Sequence, residues 1–498
     1  MERDRFLQAL GIIALATVLV LLYPFLHQRV PFLQQHFETY NWINGLTVPR
    51  EPIKADTSGL ATDSLGQEVA LPTPLEGAEH LEAFFQTLDA KTEQVRIAYF
   101  GDSSIEGDLI SETLRDSLQR LFGGTGVGYV PITSHVNTFR RTIRHSFSGY
   151  WYTCTMGQNN WRKLPRGISG AYFTTWTAPV VVDTTVVTDT SAVAAVTPEA
   201  VTDSVPPTPP VAQPKGHRVS YGAMRLYPGT NVFERAYLYY GAPKADSLAR
   251  YRTGSVTTSF GGGSEGQTYL LDGGNKVNRL TLLQTPGRRV SLSFNVPARV
   301  PLYGVSVESP NGVIVDNYAT RGNSGSLLAS IDAGIMQEFQ AHMDFDLIVL
   351  QYGLNVLNPK MKNYDWYQKE MGQVIRYFQA NLPGVAILVV GPSDKATKID
   401  GTLQTDPSLP LITEALRNAA KENNAAFISL YEAMGGAGSM IEWVEQKKPS
   451  LANTDYTHFN FDGAKEAGHL LLSALLGAYN DRPKRAKAGR KTSNNPIQ

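Results

Sequence analysis

Five short apolar runs, separated by stretches of helical length, constrain the fold of this chain more than any other feature. The runs cover residues 95–100, 313–318, 347–351, 385–390 and 426–430, and the helical stretches cover residues 108–122, 326–342, 364–381, 409–423 and 462–476. Short strands that are mainly apolar are typical of a parallel sheet covered on both faces. The pattern predicts an α/β fold, a three-layer α/β/α doubly wound parallel sheet.

A second folded region is predicted between the first helical stretch and the second apolar run. Roughly 190 residues lie there, far more than the dozen or so that one crossover requires. They contain short Tyr- and Val-rich runs broken by Gly, Pro and Asn, which favour a β-sandwich. We therefore predict an α/β domain at residues 76–132 and 303–480, with an inserted β-rich domain at residues 133–302.

Three further segments are predicted from composition. Residues 6–26 are uncharged and mostly apolar, and a bilayer-spanning helix needs about 20 such residues. We expect an uncleaved N-terminal transmembrane helix in residues 1–30 rather than a cleaved signal, followed by a tether at residues 31–75. Residues 177–214 and the basic tail at residues 481–498 are predicted to be disordered. The simplest arrangement places the folded domains outside the cytoplasm, in an extracytoplasmic or periplasmic location.

The charge and cysteine content exclude several classes of partner and site. Lys plus Arg and Asp plus Glu both total 45, so no global field attracts nucleic acid. Cys154 is the only cysteine, which excludes an internal disulfide and a multi-cysteine metal site. The sequence contains no Walker-type loop, dinucleotide glycine fingerprint or His-x-x-x-His pair, so it implies no nucleotide or metal cofactor.

Two short polar strings carry the chemistry. Gly101-Asp102-Ser103-Ser104 follows the first apolar run, which places Ser103 on a strand-to-helix turn. A serine hydroxyl becomes a good nucleophile when a base accepts its proton and a third group fixes the tautomer of that base. Asp455-Tyr456-Thr457-His458 supplies both groups, His458 as the base and Asp455 as its partner. Taken singly, each string is also ordinary turn or helix-cap composition.

The order Ser, Asp, His, with the last two in one DxxH string, resembles the SGNH or GDSL hydrolase family. Arg321-Gly322-Asn323-Ser324-Gly325 is similar to the second block of that family, and Gly353-Leu354-Asn355 is similar to the third. The resemblance covers residues 92–132 and 303–478. It implies a catalytic triad of Ser103, Asp455 and His458. It also implies an oxyanion hole formed by the backbone N–H groups of Ser103 and Gly322 and the side-chain amide of Asn355.

This resemblance predicts a serine esterase that removes acyl groups, acetyl being favoured, from an extracytoplasmic glycan. One alternative is an O-acetyltransferase acting on a cell-surface polysaccharide or peptidoglycan, with a polytopic membrane protein delivering the acyl group. A second is an inactive glycan-binding or assembly protein.

The inserted domain is similar to a carbohydrate-binding module, at the level of fold alone. Its aromatic residues could stack on sugars, although aromatics in sandwiches are more often core. These residues are Tyr150, Trp151, Tyr152, Trp161, Tyr172, Phe173 and Trp176. A basic cluster of Arg140, Arg141, Arg144 and His145 could attract an anionic polymer or form a solvated surface.

Overall fold

The structure is a computed structural model that describes residues 73–90, 93–160, 162–175, 216–242, 254–260, 266–283, 285–296 and 300–482. The predicted anchor at residues 1–30, most of the tether, the loop at residues 177–214 and nearly all of the basic tail lie outside these ranges. Within the described ranges, no helix has both the length and the apolar character that a membrane span requires.

The described strands and helices are numbered here in chain order. The strands are β1 (Gln94–Gly101), β2 (Gly128–Val130), β3 (Ile143–Ser148), β4 (Trp151–Cys154), β5 (Tyr172–Thr175), β6 (His217–Ala223), β7 (Arg235–Tyr240), β8 (Gly254–Ser259), β9 (Thr268–Leu271), β10 (Asn278–Leu283), β11 (Arg289–Asn295), β12 (Leu302–Glu308), β13 (Gly312–Ala319), β14 (Phe345–Gln351), β15 (Ala386–Val390), β16 (Ala396–Ile399), β17 (Thr402–Thr405) and β18 (Ala426–Ile428). The helices are α1 (Glu82–Ala90), α2 (Ser111–Phe122), α3 (Ala333–Met343), α4 (Asp365–Asn381), α5 (Leu409–Glu422), α6 (Leu430–Ala433), α7 (Ser439–Glu445) and α8 (Phe461–Asp481).

The five apolar runs form one parallel sheet, as predicted, in the order β13-β1-β14-β15-β18. Alternate residues of its strands face opposite sides, so each face supplies one apolar core. Helices α1, α2 and α8 cover one face, and α3, α4 and α5 cover the other. The predicted α/β/α arrangement is therefore confirmed.

One predicted helix differs from the structure. Residues 326–342 form a short 3-10 turn, Ser326–Ser330, followed by α3. The break falls at Asp332, whose side chain accepts a hydrogen bond from the Ile335 N–H across 3.0 Å and so begins a new helix. The apolar pattern continues through this break because both pieces pack on the same core.

The residues between α2 and β13 form two antiparallel sheets. One has the order β10-β7-β12-β5-β4, with β2 also paired to β12, and the other has the order β3-β6-β11-β8-β9. Apolar side chains from the facing sides of the two sheets share one core. Since β12 lies inside the first of these sheets, the boundary predicted at residue 303 falls within a strand of the insertion.

A buried ion network joins this insertion to the parallel sheet. The Arg96 guanidinium in β1 lies 3.0 Å from the Asp316 carboxylate in β13 and also contacts Glu308 in β12. Asp316 accepts a further hydrogen bond from the Tyr129 N–H in β2 across 2.7 Å. Losing one partner of such a network leaves a buried charge unpaired, so these contacts hold the insertion in a fixed position.

Candidate active site

The Ser103 turn lies at the point where the winding direction of the parallel sheet reverses. In chain order the five strands give the sheet order 2-1-3-4-5, and the crevice of such a sheet opens between the first and third strands, here β1 and β14. Ser103 begins the turn after β1, and Asn355 lies in the turn after β14. A β-carbon at Gly101 would lie 2.9 Å from the Ile105 side chain and 3.2 Å from the Gln351 carbonyl oxygen, so the close packing of this turn disfavours a side chain there.

Ser103, His458 and Asp455 form a continuous hydrogen-bonded chain. The Ser103 Oγ lies 3.0 Å from His458 Nε2, and His458 Nδ1 lies 2.8 Å from Asp455 Oδ2. The two imidazole nitrogens thus face different partners, which allows one to accept the serine proton while the carboxylate fixes the other. The structure brings together all three residues that the sequence singled out.

The DxxH string holds its own carboxylate in place. Asp455 Oδ1 accepts hydrogen bonds from the backbone N–H groups of Thr457 and His458, each across 3.0 Å. Tyr456 adopts a left-handed conformation with φ of 53°, and its hydroxyl donates to Glu445 across 2.7 Å. The local hydrogen bonds of this turn therefore fix Asp455 relative to His458 without any contribution from Ser103.

The two carboxylates near Ser103 have opposite pKa shifts. Partial burial favours a higher pKa for Asp455, but the backbone and side-chain hydrogen bonds from His458 outweigh it and lower the pKa. Asp102 is 1% exposed, and burial raises its pKa despite hydrogen bonds from Ser104 and Asn355. The lowered pKa favours the ionised form of Asp455 beside the imidazole.

Gly322 lies on the loop that packs against the Ser103 turn. The Thr320 N–H donates to the Gly101 carbonyl across 2.9 Å, and Arg321 Nε donates to Glu106 across 2.8 Å. Gly322 itself is exposed with φ of 72°, and no acceptor among the described residues pairs with its N–H. The structure places this glycine beside the nucleophile turn, and its role in an oxyanion hole stays a prediction.

Asn355 joins the three loops of the site. Its Nδ2 donates to Asp102 Oδ2 across 2.8 Å and to the Asn323 carbonyl across 3.2 Å. In this structure both amide hydrogens have acceptors, so binding an oxyanion requires the amide to give up the longer bond. The next residue, Val356, accepts a hydrogen bond at its carbonyl from the Tyr364 hydroxyl across 3.2 Å.

Asp102, the residue before Ser103, has a structural role that the sequence did not predict. Its carboxylate accepts from the Ser104 N–H across 2.9 Å, from the Ser104 hydroxyl across 2.7 Å and from Asn355. The only sequence signal was an acidic residue directly after a strand buried on both faces. A buried carboxylate must be hydrogen-bonded, so such a position indicates a network of donors.

The insertion also contributes a wall that the sequence did not predict. The Phe139 ring stacks on Phe461 at 4.7 Å, close to His458 in the chain. A β-carbon at Gly107, in the Ser103 turn, would lie 2.4 Å from the same Phe139 ring. Phe139 therefore packs between the loop of the nucleophile and the loop of the base.

The predicted basic cluster is not a solvated surface as a whole. Arg140 lies 3.0 Å from the buried Asp108 carboxylate, and Arg141 contacts Glu112 while stacking 3.7 Å over the Phe461 ring. His145 is buried, and that burial lowers its pKa to about 4 despite a hydrogen bond to the Ile132 carbonyl. Arg144 alone is exposed, so the cluster offers little free charge to an anionic polymer.

No group of three or more His, Cys, Asp or Glu side chains in the described ranges is arranged to hold a metal ion.

The comparison with solved structures identifies the fold. A structure described as "Peptidoglycan O-acetylesterase in action, 5 min" matches with a TM-score of 0.58 and 20% identity, covering 80% of this chain and 97% of that one. The chain has the fold of that structure. The α/β fold implied by the resemblance to SGNH hydrolases is thereby confirmed.

Other solved structures match a smaller part of the architecture. An acetyl xylan esterase has a TM-score of 0.26 at 20% identity, with 32% of this chain and 81% of that one covered. A family two carbohydrate esterase from Cellvibrio japonicus has a TM-score of 0.23 at 10% identity, with 53% and 89% covered. No protein-family model matches the sequence, and neither does any curated protein.

Proposed function

We propose that this protein is a serine esterase of the SGNH type that removes acetyl groups from a glycan. The observation that carries the proposal is the hydrogen-bonded chain from Ser103 through His458 to Asp455 at the carboxyl edge of the sheet. The matching fold of a peptidoglycan O-acetylesterase supports an acetyl ester on a sugar as the substrate.

In the first half of the reaction, Ser103 Oγ attacks the ester carbonyl while His458 Nε2 accepts the serine proton. The carboxylate of Asp455 holds the ring in the correct tautomer and stabilises the imidazolium. His458 then gives the proton to the departing sugar hydroxyl, which leaves an acetyl-serine. In the second half, His458 activates a water molecule that releases acetate.

Negative charge develops on the carbonyl oxygen in both halves. We propose that the backbone N–H groups of Ser103 and Gly322 and the Asn355 amide bind this oxyanion. Asn355 would exchange its 3.2 Å bond to the Asn323 carbonyl for the oxyanion and keep its bond to Asp102. Each such donor contributes about 2.7–4 kcal/mol to the transition state.

The exposure of the triad favours hydrolysis over acyl transfer to a sugar. The side chains of His458 and Asp455 are 42% and 50% exposed. Water therefore has an open path to the base, and an acetyl-serine would be difficult to protect from it.

We further propose that the apolar residues 6–26 anchor the chain in a membrane and hold the enzyme outside the cytoplasm.

The test uses the purified full-length protein in detergent with an aryl acetate and with an O-acetylated oligosaccharide, each with and without an unacetylated sugar acceptor. The products are identified by mass spectrometry, and Ser103→Ala is the matched control. Free acetate that depends on Ser103 supports the esterase. Acetylated acceptor would make the protein a transferase, and the absence of both products would leave a binding protein.

A further inference from the structure

A groove leads from the Ser103 turn onto the insertion. Its first compartment, of about 330 Å³, is lined at one end by Glu106 and Gly107 of the nucleophile turn and by Thr320 and Arg321 before Gly322. A second compartment, of about 300 Å³, lies against Phe147 and Tyr150. The two compartments share the lining residues Thr133, Ser134, His135 and Thr153. The two compartments are therefore adjacent, and together they are called the groove here.

The acidic and basic side chains on the groove lining are paired with one another. Glu106 is paired with Arg321, and Asp108 is paired with Arg140 across 3.0 Å. Apart from these four residues and the tyrosines, His135 is the ionisable side chain on the described lining. An uncharged ligand would leave these ion pairs intact, whereas a highly charged polymer would have to compete with them.

The rest of the first compartment offers hydroxyl and amide groups. Thr133 and Thr153 lie side by side with their hydroxyl oxygens 3.2 Å apart, and each keeps further hydrogen-bonding capacity. Gln158 Oε1 accepts a hydrogen bond from the Thr155 N–H across 3.0 Å, which fixes the orientation of the side-chain amide. The NH₂ group of that amide has no acceptor among the described residues. Such groups match the hydroxyls and amides of a sugar.

Exposed aromatic rings lie at the far end. Tyr150 and Phe147 are 41% and 38% exposed. Trp151, in contrast, packs edge-on against Phe294 and donates through Nε1 to the Ser148 carbonyl. Tyr172 and Phe173 are buried core residues, and Trp161 and Trp176 lie outside the described residues. Of the aromatics that the sequence suggested for sugar stacking, Tyr150 is the exposed ring on this groove.

We propose that the groove binds an uncharged oligosaccharide chain whose acetylated unit lies at Ser103 and whose distal units lie against Gln158 and Tyr150. This inference rests on the proposed function and names its substrate class. Each compartment has room for a short stretch of an oligosaccharide. The two compartments together would therefore bind an oligosaccharide more tightly than a single sugar. Affinity would rise with chain length until both compartments are filled.

The first experiment measures binding, independently of turnover. Full-length Ser103→Ala protein is titrated calorimetrically with unacetylated, uncharged oligosaccharides of one to six units and with uronic acid oligomers of the same lengths. We expect affinity for the uncharged series to rise with length, and Tyr150→Ala or Gln158→Leu in the same background to weaken the longest ligand about tenfold, or 1.4 kcal/mol. Phe260→Ala removes an aromatic that is 39% exposed outside the groove and should bind as the parent does.

The second experiment measures kcat/KM on acetylated sugars of the same lengths with active protein. We expect Tyr150→Ala to lower the ratio of the six-unit value to the one-unit value about tenfold and Phe260→Ala to leave that ratio at the wild-type value. Tighter binding of the uronic acid series, no dependence on length, or equal effects of Tyr150→Ala and Phe260→Ala would overturn the groove proposal. Length-dependent binding without any Ser103-dependent acetate release would sustain the groove and reject the esterase.

Discussion

The side-chain amide of Asn355 donates to the buried carboxylate of Asp102 across 2.8 Å, which connects the loop after β14 to the residue that precedes the proposed nucleophile. Asp102 is also held by the backbone and hydroxyl of Ser104. The position of one proposed oxyanion donor is thus coupled to the turn that carries Ser103.

This coupling predicts that Asp102 acts as a positioning residue for Asn355. Asn355→Ala should lower kcat on an aryl acetate by about 100- to 1000-fold with little change in KM, because an oxyanion donor acts in the transition state. Asp102→Ala should also lower kcat, and the double variant should be no slower than the slower single variant, since both changes disable one unit. Circular dichroism melts of all three proteins report whether the fold is kept. Multiplicative losses in the double variant would contradict the coupling.

Ser103→Ala should abolish aryl ester turnover and labelling by a serine-directed organophosphonate while leaving the melting temperature near the wild-type value. The physical reason is that the variant loses the hydroxyl that lies 3.0 Å from His458 Nε2, and it does so without creating a core cavity. Ser104→Ala keeps the Ser103 hydroxyl and should still be labelled, since the Ser104 hydroxyl donates to Asp102 rather than to His458. Labelling of Ser103→Ala at the wild-type rate would place the nucleophile elsewhere.

The contact between Gly107 and Phe139 predicts a specific steric effect. Gly107→Ala adds a β-carbon 2.4 Å from a ring that Phe461 backs at 4.7 Å, and it also incurs the left-handed cost of about 1–2 kcal/mol at φ of 69°. Gly436→Ala is the matched control, because Gly436 has a similar left-handed backbone, with φ of 78°, but its added β-carbon would have no atom within 4 Å. We expect Gly107→Ala to lose more kcat/KM and more thermal stability than Gly436→Ala. Adding Phe139→Ala to Gly107→Ala should restore part of the loss, and no restoration would argue against a steric cause.

Asp108 predicts the acid dependence of stability. Burial would raise its pKa, but Arg115 and Arg140 outweigh burial and hold the pKa well below the ordinary value of 3.8. Because the folded pKa is depressed, the stabilisation is complete above the unfolded value and is lost as the pH falls below it toward the folded value. Asp108→Asn leaves buried arginines unpaired and should lower the free energy of unfolding by about 3–5 kcal/mol at neutral pH.

Urea unfolding at several pH values checks this prediction. The wild-type protein should lose stability below about pH 4, and that acid branch should flatten in Asp108→Asn. Asp116→Asn on the same helix is the control, since its pair with Arg120 is near the surface and should contribute no more than about 1 kcal/mol. Equal losses in the two variants would mean that the buried pairing does not dominate.

The sequence by itself determined the parallel sheet, most of its helices and the residues of the hydrogen-bonded chain. The apolar composition of runs such as residues 95–100 and 347–351 is sufficient to predict that they are buried. Asp455 and His458 lie within a single turn whose local hydrogen bonds set their geometry. Features of this kind depend on neighbours in the chain, so residue order and spacing are sufficient to predict them.

Only the tertiary structure decided the partners that come from distant loops. The bond from Asn355 to Asp102, the pairing of Arg140 with Asp108 and the packing of Phe139 on Phe461 join residues 253, 32 and 322 positions apart. Each depends on how the insertion and the sheet-edge loops approach one another, which is fixed by buried contacts such as Arg96 with Asp316. Composition shows that a charge or a ring needs a partner, whereas packing decides which partner it receives.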